Sequence, residues 1–190
     1  GFTITELSGT SVNESGTTDT FTVVLDAEPA SDVVLTITSS DTGEATVTST
    51  LTFTSANWDT PQTVTVTGVD DDIIDGTVTS TLTISIVDAA SDNDFDAVAD
   101  QTVSVTTVND DVAGFTIAET DSSTSVGESG TTDTFTVVLD AEPDSDVVLT
   151  ITSSDTGEAT VTSALTFTSA NWDTPQTVTV TGVDDDIIDG

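Results

Sequence analysis

Residues 131–190 repeat residues 17–76 at an offset of 114, and only two of those 60 positions differ: Ala30 becomes Asp144 and Thr50 becomes Ala164. A repeat of fixed period constrains the fold more than any local motif, because each copy must be a unit that can recur along a chain. The opening Gly1-Phe2-Thr3-Ile4 recurs at Gly114-Phe115-Thr116-Ile117, so the period predicts a complete unit over 1–113 and a second over 114–190. Ala118–Thr124 of the second copy differs from the first and carries one extra residue. The second copy stops at Gly190, the counterpart of Gly76, and is expected to be truncated after its fifth strand. The chain reads as an excerpt from a longer polymer; the alternative is that a neighbouring chain supplies the last two strands.

The local pattern is alternation of apolar residues with Thr or Ser. Leu51 and Phe53 alternate with Thr52 and Thr54, Val64 and Val66 with Thr63, Thr65 and Thr67, and Leu82, Ile84 and Ile86 with Thr81, Thr83 and Ser85. Period two with β-branched residues predicts half-buried strands, and no segment carries a helical period. Counting runs between turn signals predicts seven strands in the first unit, near 2–13, 20–26, 32–39, 45–54, 62–69, 77–87 and 101–108, named A to G. Seven short strands in about 110 residues fit an all-β, immunoglobulin-like antiparallel sandwich with Greek-key connections. The expected core is Phe21, Val23, Leu25, Val33, Leu35, Ile37, Leu51, Phe53, Val64, Val66, Leu82, Ile84, Ile86, Val103 and Val105. Burying each such side chain is worth roughly 1.5–3 kcal/mol, enough in sum for a domain of this size.

Charge narrows the function. The chain holds 35 Asp and Glu and no Lys, Arg or His, for a formal net charge of −35. Side-chain salt bridges are excluded, trypsin has no cleavage site, and nucleic acid or anionic membrane has no basic residue to meet. With 35% hydrophobic residues in patterned runs the chain is expected to fold despite its charge, with divalent cations offsetting the self-repulsion. No Cys is present, so disulfides contribute nothing. No run of 18 apolar residues predicts a membrane span. Without His, Lys, Arg, Cys or Tyr, the usual bases and nucleophiles are missing, and the chain is read as not an enzyme. Paired carboxylates can cleave glycosides, but these lie on loops where no cleft is expected.

The carboxylates cluster. Asp70, Asp71, Asp72 and Asp75 fall in the E–F loop, Glu14 ends strand A, Asp41 lies between C and D, and Asp110 and Asp111 follow G. In an antiparallel sandwich the A–B, C–D and E–F turns share one pole with the end of G, so these four segments converge. Hard oxygen donors without His or Cys select calcium, and the main chain near Ile73 could add a carbonyl. Asp92-Asn93-Asp94-Phe95-Asp96 opens like an EF-hand loop, but Ala97 replaces the turn glycine and Val103 the bidentate Glu; it reads as a solvated F–G loop. The Thr63–Thr67 ladder reads as an ordinary solvent face rather than an ice- or crystal-binding surface. Trp58 and Trp172 read as packing over one end of each core rather than stacking on sugars.

Together Val12-Asn13-Glu14, Ser40-Asp41-Thr42-Gly43, Leu51-Thr52-Phe53, Val64–Val69 into Asp70-Asp71-Asp72-Ile73-Ile74-Asp75-Gly76, and Val108-Asn109-Asp110-Asp111 resemble the Calx-beta repeat. The resemblance covers the first unit and most of the second. It implies a seven-stranded sandwich with calcium at the pole leading to the next domain. The implied ligands are Glu14, Asp41, Asp70, Asp71, Asp72, Asp75, Asp110 and Asp111, and in the second copy Glu128, Asp155, Asp184, Asp185, Asp186 and Asp189. Asp75 stands where the family usually has Glu, and Asn109 where Asp is common. Similar repeats occur in very large bacterial surface and secreted proteins, including adhesins. The expected function is therefore a calcium-stabilised module of a stiff extracellular stalk, its partners the neighbouring repeats. The alternative is a self-assembling filament or surface-layer subunit, with strands complemented between copies.

Overall fold

The structure is a computed structural model that describes residues 1–184. The chain divides into two units, one of Gly1–Asp71 with Asp75–Asp110, the other of Asp72–Ile74 with Asp111–Gly190. No helix among the described residues is long and apolar enough to cross a membrane.

The first unit is an immunoglobulin-like β-sandwich of nine strand segments. These are β1 (Phe2–Thr5), β2 (Thr10–Asn13), β3 (Thr18–Leu25), β4 (Val33–Ser39), β5 (Ala45–Val47), β6 (Thr50–Phe53), β7 (Gln62–Gly68), β8 (Val78–Ile86) and β9 (Gln101–Val108). One sheet runs β1-β3-β7-β5 and the other β2-β9-β8-β4-β6. Two of the seven expected strands are therefore broken. Expected strand A leaves the first sheet after Thr5, turns at Gly9 with φ +82°, and enters the second sheet as β2. A backbone at that φ suits glycine, which has no Cβ to clash. Expected strand D crosses between sheets at Thr48-Ser49: the Thr48 N–H still donates to the Thr65 carbonyl of β7, at 3.0 Å, while the Ser49 carbonyl already accepts from Ile37 of β4, at 2.9 Å. The sandwich is also not wholly antiparallel, because β2 runs parallel to β9, Thr10 opposite Val105 and Asn13 opposite Val108. A chain that changes sheets without reversing direction must meet its new neighbour in whatever sense that neighbour runs.

Alternation places the core as expected. Fourteen of the fifteen expected core residues are buried; Ile86, near the end of β8, is half-buried and packs against the same cluster. Phe2, Val12, Ala45 and Phe95 complete the core, and Trp58 packs on it from the side. The opposite faces of β3 and β7 put Thr18 against Thr67, Thr20 against Thr65 and Thr22 against Thr63. Such cross-strand Thr pairs add roughly 0.2–1 kcal/mol each.

The connection between β8 and β9 departs from a solvated loop. Asp94 and Asp96 are exposed, but Asp92 is only 7% exposed and Phe95 only 5%. Asp92 accepts from the backbone N–H groups of Ala30 at 2.7 Å, Ser31 at 2.9 Å and Asp94 at 3.0 Å. These donors, Asp94 first, hold its carboxyl below the ordinary carboxylate range. A carboxyl with a depressed folded-state pKa stabilises above its unfolded value and loses that contribution as the pH falls through the folded value. Asp92→Ala is expected to lower the urea midpoint of the first unit at pH 7. Its gap from the parent should close as the pH drops below about 3.8; a pH-independent gap would mean the carboxylate charge is irrelevant.

The second unit repeats the first sheet. Its strands are β10 (Phe115–Glu119), β11 (Thr132–Leu139), β12 (Val147–Thr150), β13 (Ala159–Val161), β14 (Ala164–Phe167) and β15 (Gln176–Gly182). Order β10-β11-β15-β13 reproduces β1-β3-β7-β5, and Phe135 opposes Val178 as Phe21 opposes Val64. Among the described residues its second sheet holds β12 and β14. Counterparts of β2, β8 and β9 do not occur among the described residues. The core shrinks accordingly to Val137, Leu139, Leu165, Phe167 and Val178, with Trp172 packed against it.

Candidate metal centre

Three turns of the first unit bring carboxylates together at one pole. Glu14 follows β2, Glu44 precedes β5, and Asp75 lies between β7 and β8. One oxygen from each of Glu14, Glu44 and Asp75 lies within 4.8 Å of the other two. Glu14 is 0% exposed and Glu44 7%, while Asp75 is open to solvent.

Backbone packing fixes this arrangement. The Glu14 N–H donates to the Val108 carbonyl at 3.2 Å, continuing the β2–β9 pairing. Gly68 at the end of β7 lies directly beneath: a Cβ there would overlap the Asn13 carbonyl oxygen, so only glycine lets the Asn13-Glu14 backbone sit so close. The Glu44 carbonyl accepts from the Val69 N–H at 2.9 Å and from the Thr107 hydroxyl at 3.4 Å, tying the turn before β5 to β7 and β9. The Asp110 N–H donates to Glu14 Oε2 at 3.3 Å. The Asn109 side-chain amide donates to Asp75 Oδ1 at 3.5 Å, where a second carboxylate would only repel.

The electrostatics are unfavourable without a counter-charge. Two unit charges about 4.8 Å apart repel by about 3.5 kcal/mol at an effective dielectric of about 20. The chain supplies no Lys, Arg or His to offset this. The Glu44 carboxyl is pushed up to about 7, by burial first and then by the charges of Asp75, Glu14, Asp71 and Asp41. Its buried Oε2 has no hydrogen-bond partner among the described residues. A buried acceptor without a donor costs about 1–3 kcal/mol, more when charged. The donor set suits calcium: two oxygens bound to one ion at about 2.3–2.6 Å lie no more than about 5 Å apart.

Of the other expected ligands, Asp71 also brings a carboxylate oxygen within 4.8 Å of one from Glu14. Asp41 is exposed, and its Oδ1 accepts from the Gly43 N–H at 3.0 Å, closing its own turn. That turn delivers Glu44 instead, a residue the sequence reading passed over; its signal was an acidic side chain at the mouth of a short strand on the acidic pole. Asp70 and Asp110 are exposed, and Asp71 is half-buried. Asp72 and Ile73 belong to the second unit, where the Asp72 carbonyl accepts from the Glu142 N–H at 2.8 Å and Ile73 forms a parallel bridge to Glu142. Asp111 is half-buried and also belongs to the second unit.

In the second unit Glu128, Asp155, Glu158 and Asp184 are all exposed, and Asp155 caps Gly157 at 2.9 Å just as Asp41 caps Gly43. Asp185, Asp186 and Asp189 lie outside the described residues. The reason is backbone support. Glu14 is held by the β2–β9 ladder, and Ser125–Gly127 has no such neighbour among the described residues and forms no strand.

No family model matches the chain, and the search of curated proteins finds no match either. Among solved structures, the chain is similar to CBD12 from CALX1.2 at 16% identity and TM-score 0.40, covering 95% of this chain and 74% of that one. Surface layer protein SbsC, domains 1–6, aligns at 18% identity and TM-score 0.38, covering 96% of this chain and 21% of that one. A Bacteroides ovatus GH5 xyloglucanase aligns at 14% identity and TM-score 0.39 over 57% of this chain, which spans only 19% of the enzyme's length. At these scores the sandwich assignment rests on the strand order and registers above, not on these likenesses.

Proposed function

We propose that the chain is a calcium-stabilised structural repeat of the Calx-beta kind, a module of the stiff extracellular stalk of a large adhesin-like surface protein. The observation that supports this reading is the buried Glu14–Glu44 pair facing Asp75 in a chain without one basic side chain. Only protonation or a bound cation can neutralise such a group, and its oxygen donors suit calcium. Glu14, Glu44 and Asp75 would hold the ion, joining the segments after β2, before β5 and between β7 and β8. Asp110 and Asp111 lead into the next repeat, so a ligand drawn from them would stiffen the joint. In this reading the ion supplies positive charge and no chemistry, and the partners are neighbouring repeats. Small-angle scattering tests the stalk role: chelation should enlarge the radius of gyration of the 190-residue chain, and an unchanged radius would leave the joint unclamped.

Glu44 adds a pH signature. A carboxyl whose folded-state pKa is raised contributes stability that is fully present below its unfolded value and lost as the pH rises through the folded value. In chelator, the stability of the first unit is expected to fall between about pH 4.5 and pH 7. Glu44→Gln should flatten that slope, and saturating calcium should abolish most of it in the parent. Parallel slopes in parent and variant would show that Glu44 does not titrate there.

A further inference from the structure

Asn109 is a neutral side chain set among the carboxylates of the acidic pole. It is half-buried just after β9 and is followed directly by Asp110. Its amide donates to Asp75 Oδ1 at 3.5 Å. The residues on either side of it serve the same site. The Val108 carbonyl accepts from the Glu14 N–H at 3.2 Å, and the Asp110 N–H donates to Glu14 Oε2 at 3.3 Å. The exit of β9 therefore touches both Glu14 and Asp75. These ligands differ in how firmly they are held. Glu14 and Glu44 are enclosed, and Glu44 Oε2, on a side chain 7% exposed, has no hydrogen-bond partner among the described residues. Asp75 is exposed and lies on irregular backbone, next to Gly76 with φ +80°. It is the ligand whose direction most needs fixing. A carboxylate offers about four lone-pair sites, so accepting the Asn109 amide leaves room for a cation.

We propose that Asn109 is a positioning residue that sets the strength of this cation site: its amide holds Asp75 toward the buried Glu14–Glu44 pair, and its neutrality limits how tightly the site binds. The inference rests on the calcium reading above. A carboxylate at position 109 would add a further negative charge beside Asp75. That charge would strengthen the attraction for a cation and worsen the repulsion when the cation is absent. An apolar residue there would remove the donor and leave Asp75 free to turn into water, so that binding would have to order it first. The amide avoids both effects. It orients the exposed ligand without adding to the charge that drives the ion-free pole apart.

The test is a calcium titration of the 190-residue chain, followed by NMR through the side-chain amide signals of Asn109 and the backbone signal of Glu44. In the parent both should move with one midpoint. Asn109→Asp is expected to lower the calcium concentration at the Glu44 midpoint by about tenfold, a nearby charge partly screened by solvent. The same variant should melt at a lower temperature than the parent in chelator. Asn109→Ala is expected to raise the midpoint by about threefold, the cost of ordering one side chain on binding. Midpoints within about twofold of the parent in both variants, with a parent that binds, overturn the assignment of Asn109 and leave the calcium reading standing. An Asn109→Asp chain that is less stable in chelator yet binds no more tightly also overturns it, in favour of a purely structural role. A Glu44 signal that calcium does not move in the parent sinks the calcium reading itself, and this inference with it.

Discussion

Calcium is expected to raise the melting temperature of the ion-free first unit by on the order of 10 °C. At a free concentration about a hundred times the dissociation constant, one site binding only the native state contributes about 2.7 kcal/mol. For a domain of roughly 110 residues each kcal/mol corresponds to about 4 °C. Calorimetry with and without chelator measures this directly. The substitutions Glu14→Gln and Glu44→Gln sharpen it, because their effects should change sign. Without ion each removes a like charge from a crowded, buried group and should raise the melting temperature; with calcium each removes a ligand and should lower it. A variant that shifts the melting temperature in one direction under both conditions would point to packing rather than ion binding, and calcium that leaves the parent unmoved would sink the site.

Phe21→Ala is expected to cost about 3–5 kcal/mol, whereas the same change at its counterpart, Phe135→Ala, should cost less than half as much. Removing a fully buried Phe forfeits its transfer energy and leaves a cavity that the surroundings only partly close. Phe21 is 1% exposed between two complete sheets, and Phe135 borders an open groove. A domain of this size is stable by only about 5–15 kcal/mol, so the first change removes a large share. Trp58 and Trp172 each pack on the core of their own unit, so variants with one Trp replaced by Phe report the two urea transitions separately. Equal costs at the two positions would show that the second unit closes over its interior in solution.

Much of the fold was legible because alternation is a local signal. Val64 and Val66 face inward and Thr63, Thr65 and Thr67 outward because successive strand residues point to opposite faces, whatever the neighbours do. The sheet changes at Gly9 and at Thr48-Ser49 were not legible, because apolar and polar residues alternate straight through them and only the hydrogen-bond partner switches. Asp92 and Phe95 were misread for a related reason. A run of Asp looks solvated until the tertiary fold brings the Ala30 and Ser31 amides to one of them. At the acidic pole, topology was enough to bring Glu14 and Asp75 together, but the choice between Asp41 and Glu44 depended on which way a tight turn points.

The sequence alone determined the repeat, the strand periodicity, the excess of carboxylates and the lack of any basic side chain to answer them. These follow from composition and spacing, which no fold can alter. Tertiary structure decided which carboxylates are buried: Glu14 and Glu44 are enclosed at one pole, while Asp41 stays exposed. Burial depends on the strands packed around a residue, here β9 beside β2, and those lie almost a hundred residues away along the chain.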